Sequence, residues 1–435
     1  MRPKFRAALA ALFIAAPTLA SAQAASRVIA ITGGTVHPVS GPVIEHGTVL
    51  IRDGKIAEVG AQVVVPAGAQ VIDATGKVVT PGLINSNTTL GLSEAGSPQF
   101  SGGYNDTRAN GTRGVAASFR AWEGLNPAST FIAPARQGGV TTALVAPSGG
   151  VIAGQAALIN LTGDRIDDMV VRRANGQAAV AMLAAFNPGA ADASSRGELL
   201  GRLRELIRDA QVYRATRAAY DRNASRTLAA PRADLEALQA VVDSTLPLLI
   251  AVDRASDIRA VLDLKRRDKL PVRLMLLGAS EGWQVAGEIA AAKVPVFVGA
   301  MNNIPVSFDA LGSRQENAAL LRAAGAPVVL VSNGPGDGEN YNVQNIKQEA
   351  GNAVAYGLPW SEALRAVTLA PAEAFGVADR VGSLRPGRDA DVVIWSGDPF
   401  EFGTRAETVL IRGVVQTGDS RQDELTRRYA PKANR

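Results

Sequence analysis

Three carboxylates stand where side chains can take part in chemistry. Asp253 and Glu281 each follow an apolar run that is typical of a buried strand, and Asp337 lies in a glycine-rich loop. Carboxylates at such places serve as general acids, bases or metal ligands. Each also has a structural alternative: Asp253 can pair with the neighbouring Arg254, Glu281 can begin its helix and complement the helix dipole, and Asp337 can be a turn residue. The structural interpretation is favoured, and the catalytic one stays open.

A second group of polar side chains consists of amides and hydroxyls near predicted strand ends. Three of them follow the turn at residues 80–82, and two follow the apolar run 327–331. With the first acid and its arginine, they form a predicted ligand pocket of Asn85, Asn87, Thr89, Asp253, Arg254, Ser332 and Asn333. Amide and hydroxyl oxygens are weak metal ligands, so only a hard ion such as magnesium or calcium suits them.

Soft metal ligands are scarce in this chain. It has no cysteine and two histidines, His37 and His46, which both lie in the predicted N-terminal sheet and are interpreted as surface imidazoles. A zinc site needs several imidazole or thiolate ligands, and a Ser-His-Asp triad needs a histidine in the same body as the serine. The predicted barrel has neither.

The elements that position these residues fall into two kinds. Short strands and turns fill residues 27–79, with a strong hairpin signal at Asp53-Gly54, and the same texture returns at residues 382–416. Between them, apolar strands alternate with helical patterns, which predicts a parallel α/β barrel. Residues 93–134 are interpreted as an insertion or mouth loop, the glycine-rich stretch 149–155 as a mouth loop, and residues 197–223 as an arginine-rich helix that serves as a lid or oligomer contact.

The frame Pro81-Gly82-Leu83-Ile84 resembles the opening segment P-G-(L/F)-I-D-x-H-x-H of the amidohydrolase superfamily, and the chain is similar to its imidazolonepropionase-like or dipeptidase-like members. The phrase G-S-L-x-P-G-x-D-A-D at residues 382–391 is a second match. The resemblance implies a metal-dependent hydrolase of carbon–nitrogen bonds other than peptide bonds. It also implies a (β/α)8 TIM-like barrel with a small β-sandwich built from the N- and C-terminal segments.

The same resemblance implies which positions should hold the metal, and this chain differs at each. No lysine lies between Lys77 and Lys265, so the bridging lysine is missing. The aspartate of the motif is replaced by Asn85, and the expected ligand positions carry Asn87, Thr89, Ala251 and Asn333. No cofactor is therefore expected; if one is bound, it should be a divalent metal ion.

The domain boundaries follow from these patterns. Residues 1–24 are predicted to be a signal peptide, with a basic start, a short apolar run and small residues before the cleavage site. Residues 25–80 and 381–420 form the sandwich, 81–380 the barrel, and 421–435 a polar tail. Export to the periplasm or medium is expected, with no membrane anchor after cleavage. The net charge of +5 and the mixing of arginines with acids at residues 202–232 argue against nucleic-acid binding.

Three functional hypotheses remain. The first is a degenerate, metal-free homologue that binds a small amide or peptide-like molecule, or that supports an active amidohydrolase as a partner subunit. The second is an active hydrolase with a rebuilt site that uses Asp253, Glu281, Asp337 and the asparagines, with or without a hard metal. The third is a structural or oligomer-forming protein of the cell envelope.

Overall fold

The computed structural model describes residues 27–94, 104–189, 193–305, 307–332 and 341–430. The predicted signal peptide lies outside these residues, and so do Asn333 and Asp337. Within the described ranges, no helix combines the length and the apolar character that crossing a membrane requires.

The strands of the described residues form two sheets of eight strands each. In chain order they are β1 (Val28–Val36), β2 (Ile44–Arg52), β3 (Lys55–Gly60), β4 (Gln70–Asp73), β5 (Val78–Pro81), β6 (Leu83–Thr88), β7 (Val140–Val145), β8 (Ile152–Asn160), β9 (Ala179–Ala185), β10 (Leu248–Val252), β11 (Leu274–Gly278), β12 (Val296–Val298), β13 (Val328–Leu330), β14 (Val392–Trp395), β15 (Ala406–Ile411) and β16 (Val414–Val415). The helices are α1 (Ile132–Gln137), α2 (Ile166–Met169), α3 (Arg196–Asp221), α4 (Arg232–Ala237), α5 (Gln239–Val242), α6 (Ala255–Arg266), α7 (Ala286–Ala292), α8 (Asn317–Ala323), α9 (Ile346–Ala355), α10 (Trp360–Ala366), α11 (Leu369–Phe375) and α12 (Arg421–Tyr429).

The first sheet joins the two ends of the chain. Its order is β16-β15-β14-β5-β1-β2-β3, and β4 pairs with β1. C-terminal β14 lies antiparallel to N-terminal β5, with Ile394 opposite Val79. The predicted hairpin at Asp53-Gly54 is confirmed: both residues have positive φ, 49° and 79°, as a type I′ turn requires. The β-rich unit is thus built from both terminal segments.

The second sheet is the barrel, with strand order β13 through β6. One core cluster takes an apolar side chain from every strand: Ile84, Leu144, Leu158, Val180, Leu249, Met275, Phe297 and Val329. Side chains from all eight strands can meet only inside a nearly closed barrel. The predicted TIM-like fold is therefore confirmed.

One strand runs against the prediction of a parallel barrel. Strand β8 is antiparallel to both β7 and β9, and the stretch 149–155, predicted as a mouth loop, supplies its first residues. Only residues 146–151 separate β7 from β8, whereas a parallel crossover needs a dozen residues or more. The short connection forces a hairpin.

The structure adds detail to three predicted segments. The described part of the insertion, from residue 104, lies along β8, where Gln155 N–H donates to Phe119 O at 2.8 Å. Helix α3 is interrupted at Thr216 and buries an apolar face that includes Leu203 and Leu206, so one side of it belongs to the core. Part of the predicted polar tail forms α12, whose capping box at Ser420 begins a helix with no buried residue.

Candidate functional site at the barrel mouth

The carboxyl ends of the parallel strands define the mouth of the barrel, where active sites of this fold are placed. Two polar clusters occupy it. We call Asn85, Asn87 and Ser332 the amide cluster; it links β6 to the end of β13. We call Asp253, Ser280 and Glu281 the carboxylate cluster; it links the turns that follow β10 and β11. The two clusters contain most of the described residues that were predicted to line a pocket.

The amide cluster holds the first and last barrel strands together. Asn85 is fully buried, and its Nδ2 donates to Ser332 Oγ at 2.8 Å and to Val343 O at 3.1 Å. Asn87 is partly exposed, and its Nδ2 donates to Ser332 O at 3.2 Å. The Asn87 N–H in turn donates to Asn85 Oδ1 at 3.3 Å. Both amides therefore serve to close the barrel seam.

The other described positions where the resemblance implies metal ligands do not form a metal site. Thr89 Oγ1 lies 3.2 Å from Ser93 Oγ, and Ala251 is a strand residue whose methyl group has no ligand atom. Among the described residues, no three His, Cys, Asp or Glu side chains are grouped so that they could hold a metal ion. Zinc sites take nitrogen, sulfur or carboxylate ligands, which this donor set lacks. The described residues do not fit the family's metal.

The carboxylate cluster is centred on Asp253. Its Oδ1 accepts from Ser280 Oγ at 2.5 Å and from Ser280 N–H at 3.2 Å. Burial raises the pKa of Asp253; the bonds from Ser280 oppose this shift, and the nearby Asp309 and Glu281 add to it. Gly278, with φ +88°, makes the close approach possible, because a Cβ there would lie 2.8 Å from Asp253 Oδ1. The cluster thus depends on a glycine at the end of β11.

Two predicted roles in this cluster need correction. Glu281 does not act on its own helix: its carboxylate accepts from Ala255 N–H at the start of α6 and from Gly312 N–H, each at 2.9 Å. The turn after β11 brings it beside the neighbouring helix N-terminus, whose dipole favours a carboxylate. Arg254 pairs with Asp257, at 3.9 Å, and not with Asp253. Asp253 therefore has a serine hydroxyl as its close partner.

Ser280 is the residue that the sequence interpretation missed. Residues 278–282 read Gly-Ala-Ser-Glu-Gly, a G-x-S-x-G pattern on a strand-to-helix turn. Ala279, just before the serine, has φ +46°, which is uncommon for a residue with a Cβ. The pattern could have been found in the sequence, whereas the contact with Asp253 depends on two separate turns.

Outside the mouth, the histidines also differ from each other. His46 is exposed, as predicted. His37 is half-buried, and its ring centroid lies 4.7 Å from that of Trp360. Both remain in the first sheet or directly beside it.

Known proteins resemble this chain over most of its length. A model described as the amidohydrolase family matches residues 279–418. The amidohydrolase tasK of Hapsidospora irregularis is 26% identical over 400 residues, which are 86% of this chain; the chain spans only 40% of that relative's length. The imidazolonepropionase of Acidiphilium cryptum is 24% identical over 82% of this chain and 89% of its own. An amidohydrolase structure from Thermotoga maritima superposes with a TM-score of 0.77 at 25% identity, over 89% of this chain and 99% of that one.

Proposed function

Because this chain belongs to the amidohydrolase superfamily, a group of hydrolases, we propose that its barrel mouth binds a small amide or peptide-like molecule without the family's usual metal. The observation that carries this proposal is the amide cluster. At the described positions where the resemblance implies metal ligands, the side chains are neutral: Asn87 donates to Ser332 O, Thr89 lies within hydrogen-bond distance of Ser93, and Ala251 lacks a ligand atom.

The mouth offers both kinds of contact that an amide with an apolar substituent needs. Polar groups come from the partly exposed Asn87 and from the carboxylate cluster. Apolar surface comes from the segment after β12, where the exposed fraction is 38% for Met301 and 54% for Ile304. The start of this segment is fixed, since Ala300 and Met301 N–H groups donate to Glu349 Oε2 at 2.6 and 2.8 Å. Pockets for small ligands commonly combine apolar walls with a few placed polar groups.

Metal content and ligand-dependent melting test this proposal together. We expect protein expressed with excess zinc and manganese, then dialysed against metal-free buffer, to retain roughly no metal, because neutral amides are weak ligands. A library of small amides, cyclic amides and dipeptides should contain compounds that raise the melting temperature. A compound at about 100 times its Kd stabilises the folded state by about 2.7 kcal/mol.

Two variants localise the binding. Asn87→Ala should weaken binding of such a compound about fivefold, the effect of losing one hydrogen bond. Asn175→Ala removes the same kind of side chain from an exposed turn outside the two mouth clusters, and it should leave binding of the compound unchanged. Retention of one or two metal equivalents, or equal effects of the two variants, would contradict the proposal.

A second candidate function, a hydrolase with a rebuilt carboxylate site, is supported by the environment of Asp253. A partly buried carboxylate with a raised pKa and a hydroxyl partner suits a general base. In that case, Asp253→Asn should lower turnover of an amide substrate about 100-fold or more, measured as kcat at neutral pH. Asp243→Asn, which changes an exposed carboxylate paired with Arg214, should leave kcat unchanged. Equal turnover in both variants would exclude Asp253 as the base.

A further inference from the structure

Ser280 lies on a backbone turn of unusual conformation. Strand β11 ends at Gly278, with φ +88°, and Ala279 follows in the left-handed region at φ +46°. A 3-10 turn over Gly282–Val285 then leads into α7. Strained backbone of this kind persists where the surrounding contacts fix it, and it is concentrated at functional sites. The contacts that hold this turn include the two hydrogen bonds from Ser280 to Asp253 and the bond from Ala279 N–H to Val252 O at 2.7 Å.

The partner of the Ser280 hydroxyl is free to accept a proton. The basic residues of this region pair with other acids: Arg196 with Asp257 and Asp309, and Arg254 with Asp257. No ion pair between Asp253 and a lysine or arginine occurs in the described ranges, and the charged groups that act on it are Asp309 and Glu281, both acids. A carboxylate without a cation beside it holds a proton more readily than one in an ion pair.

We propose that Ser280 is a nucleophile and that Asp253 is its general base, so that the barrel mouth can carry out metal-independent acyl transfer. This proposal rests on the proposed binding of an amide-type compound at the same mouth. The 2.5 Å bond from Ser280 Oγ to Asp253 Oδ1 meets the geometric requirement for such a pair.

The chemistry balances with water as the only further reactant. Ser280 Oγ attacks the carbonyl carbon of an amide or ester while its proton passes to Asp253. The carbonyl carbon–nitrogen (or carbon–oxygen) bond then breaks, and the leaving group takes that proton. Water attacks the acyl-serine ester, gives a proton to Asp253 and releases the acid, and return of the proton to Ser280 restores the pair.

The chain contains a matched serine that lacks these features. Ser256 Oγ lies 3.4 Å from Asp257 Oδ1, but Ser256 is exposed on α6. Its carboxylate neighbour is already bound to Arg196 at 2.6 Å. A hydroxyl near a carboxylate is therefore present at both places, and of these two serines only Ser280 has a carboxylate partner without a cation among the residues that the structure describes. Ser118, whose Oγ donates to Asp234 Oδ1 at 2.8 Å outside the two mouth clusters, shares that feature.

A fluorophosphonate probe, which is attacked by activated serines with loss of fluoride, tests the proposal on the full chain. We expect intact mass spectrometry to show one adduct and peptide mapping to place it on Ser280. Ser280→Ala should abolish the adduct, Asp253→Asn should slow its formation about 100-fold or more, and Ser256→Ala should leave the rate unchanged. The rate should rise with pH through a pKa above the ordinary range of aspartate.

Failure of this proposal can be told apart from failure of ligand binding. Labelling needs no amide ligand, while binding is measured by melting temperature and metal content. Absence of labelling in folded wild type, or labelling that persists in Ser280→Ala, overturns the role of Ser280. If Ser280→Ala does not fold, Ser280→Cys replaces it: the chain has no other cysteine, so alkylation by iodoacetamide reports on that position alone. A folded Ser280→Cys protein that resists alkylation would also overturn the proposal, because a nucleophile must be reachable.

Discussion

Replacing Trp395 by alanine is expected to lower the free energy of unfolding by about 3–5 kcal/mol. Trp395 is fully buried on β14 of the first sheet, yet it packs within the main barrel core cluster. Its Nε1–H donates to the buried Thr80 Oγ1 at 2.8 Å. The ring also fills the space above Gly139, where a Cβ would lie 2.2 Å from it. Urea denaturation of the variant and the wild type measures the loss.

A second substitution separates packing from hydrogen bonding at this position. Trp395→Phe keeps an aromatic ring but leaves Thr80 without its indole donor, so we expect a loss of about 1–2 kcal/mol from the missing bond, plus a cavity contribution. If Trp395→Ala and Trp395→Phe lower the free energy of unfolding equally, packing of an aromatic ring between the first sheet and the barrel does not stabilise the protein as described. A loss below about 1 kcal/mol for alanine would contradict the fully buried position.

The second large expected effect is a fall in stability between about pH 4 and pH 8 that is due to Asp391. Burial raises the pKa of Asp391 to about 7. Hydrogen bonds from Arg412 N–H at 2.8 Å and Asn160 Nδ2 at 3.1 Å oppose this shift, because they stabilise the charged carboxylate. The folded protein therefore holds a proton that the unfolded chain releases near pH 4. The stabilisation is fully present below the unfolded pKa and is lost as the pH rises through about 7. Its size is on the order of 4 kcal/mol.

The wild-type profile alone cannot isolate this effect, because His37 acts in the opposite direction. Burial lowers the pKa of His37, so its contribution to stability is present above the ordinary pKa of histidine and is lost as the pH falls below it. The comparison is therefore between wild type and Asp391→Asn, each unfolded in urea at pH 5 and pH 8.5. The difference between the two proteins should change by several kcal/mol across this range. Parallel profiles would show that Asp391 does not titrate there.

The sequence predicted the fold better than the site. Local signals sufficed for the Asp53-Gly54 hairpin and for the strands at both ends, because turn chemistry and short apolar runs act over a few residues. Strand β8 was not predicted: its first residues were interpreted as a mouth loop, and the strand is antiparallel within a barrel that was predicted to be parallel. The short connection before it was the informative signal.

Site contacts depend on residues far apart in the chain, and periodicity does not report them. Asn85 donates a hydrogen bond to Ser332, which lies 247 positions away in the sequence. Glu281, which follows β11, accepts a hydrogen bond from the first residue of α6, the helix before that strand. The positions predicted to be substituted metal ligands were inferred only through resemblance to the superfamily. Ser280 had a local signal in its G-x-S-x-G pattern at residues 278–282, which the sequence interpretation overlooked.

The reversed strand β8 also affects how this barrel can diversify. In a parallel barrel each of the eight strands sends one loop to the mouth, and new binding specificities arise by exchanging those loops. Here the amino end of β8 lies at the mouth, so β7 and β8 are joined there by a tight hairpin. The length of a hairpin loop helps to fix the register in which its two strands pair. An insertion in the β7–β8 hairpin would shift the register of β8. The turns after β10 and β11 are held by side-chain hydrogen bonds and not by backbone pairing between strands. Exchange of mouth loops on this scaffold is therefore more restricted at the β7–β8 hairpin than at a loop that follows a parallel strand.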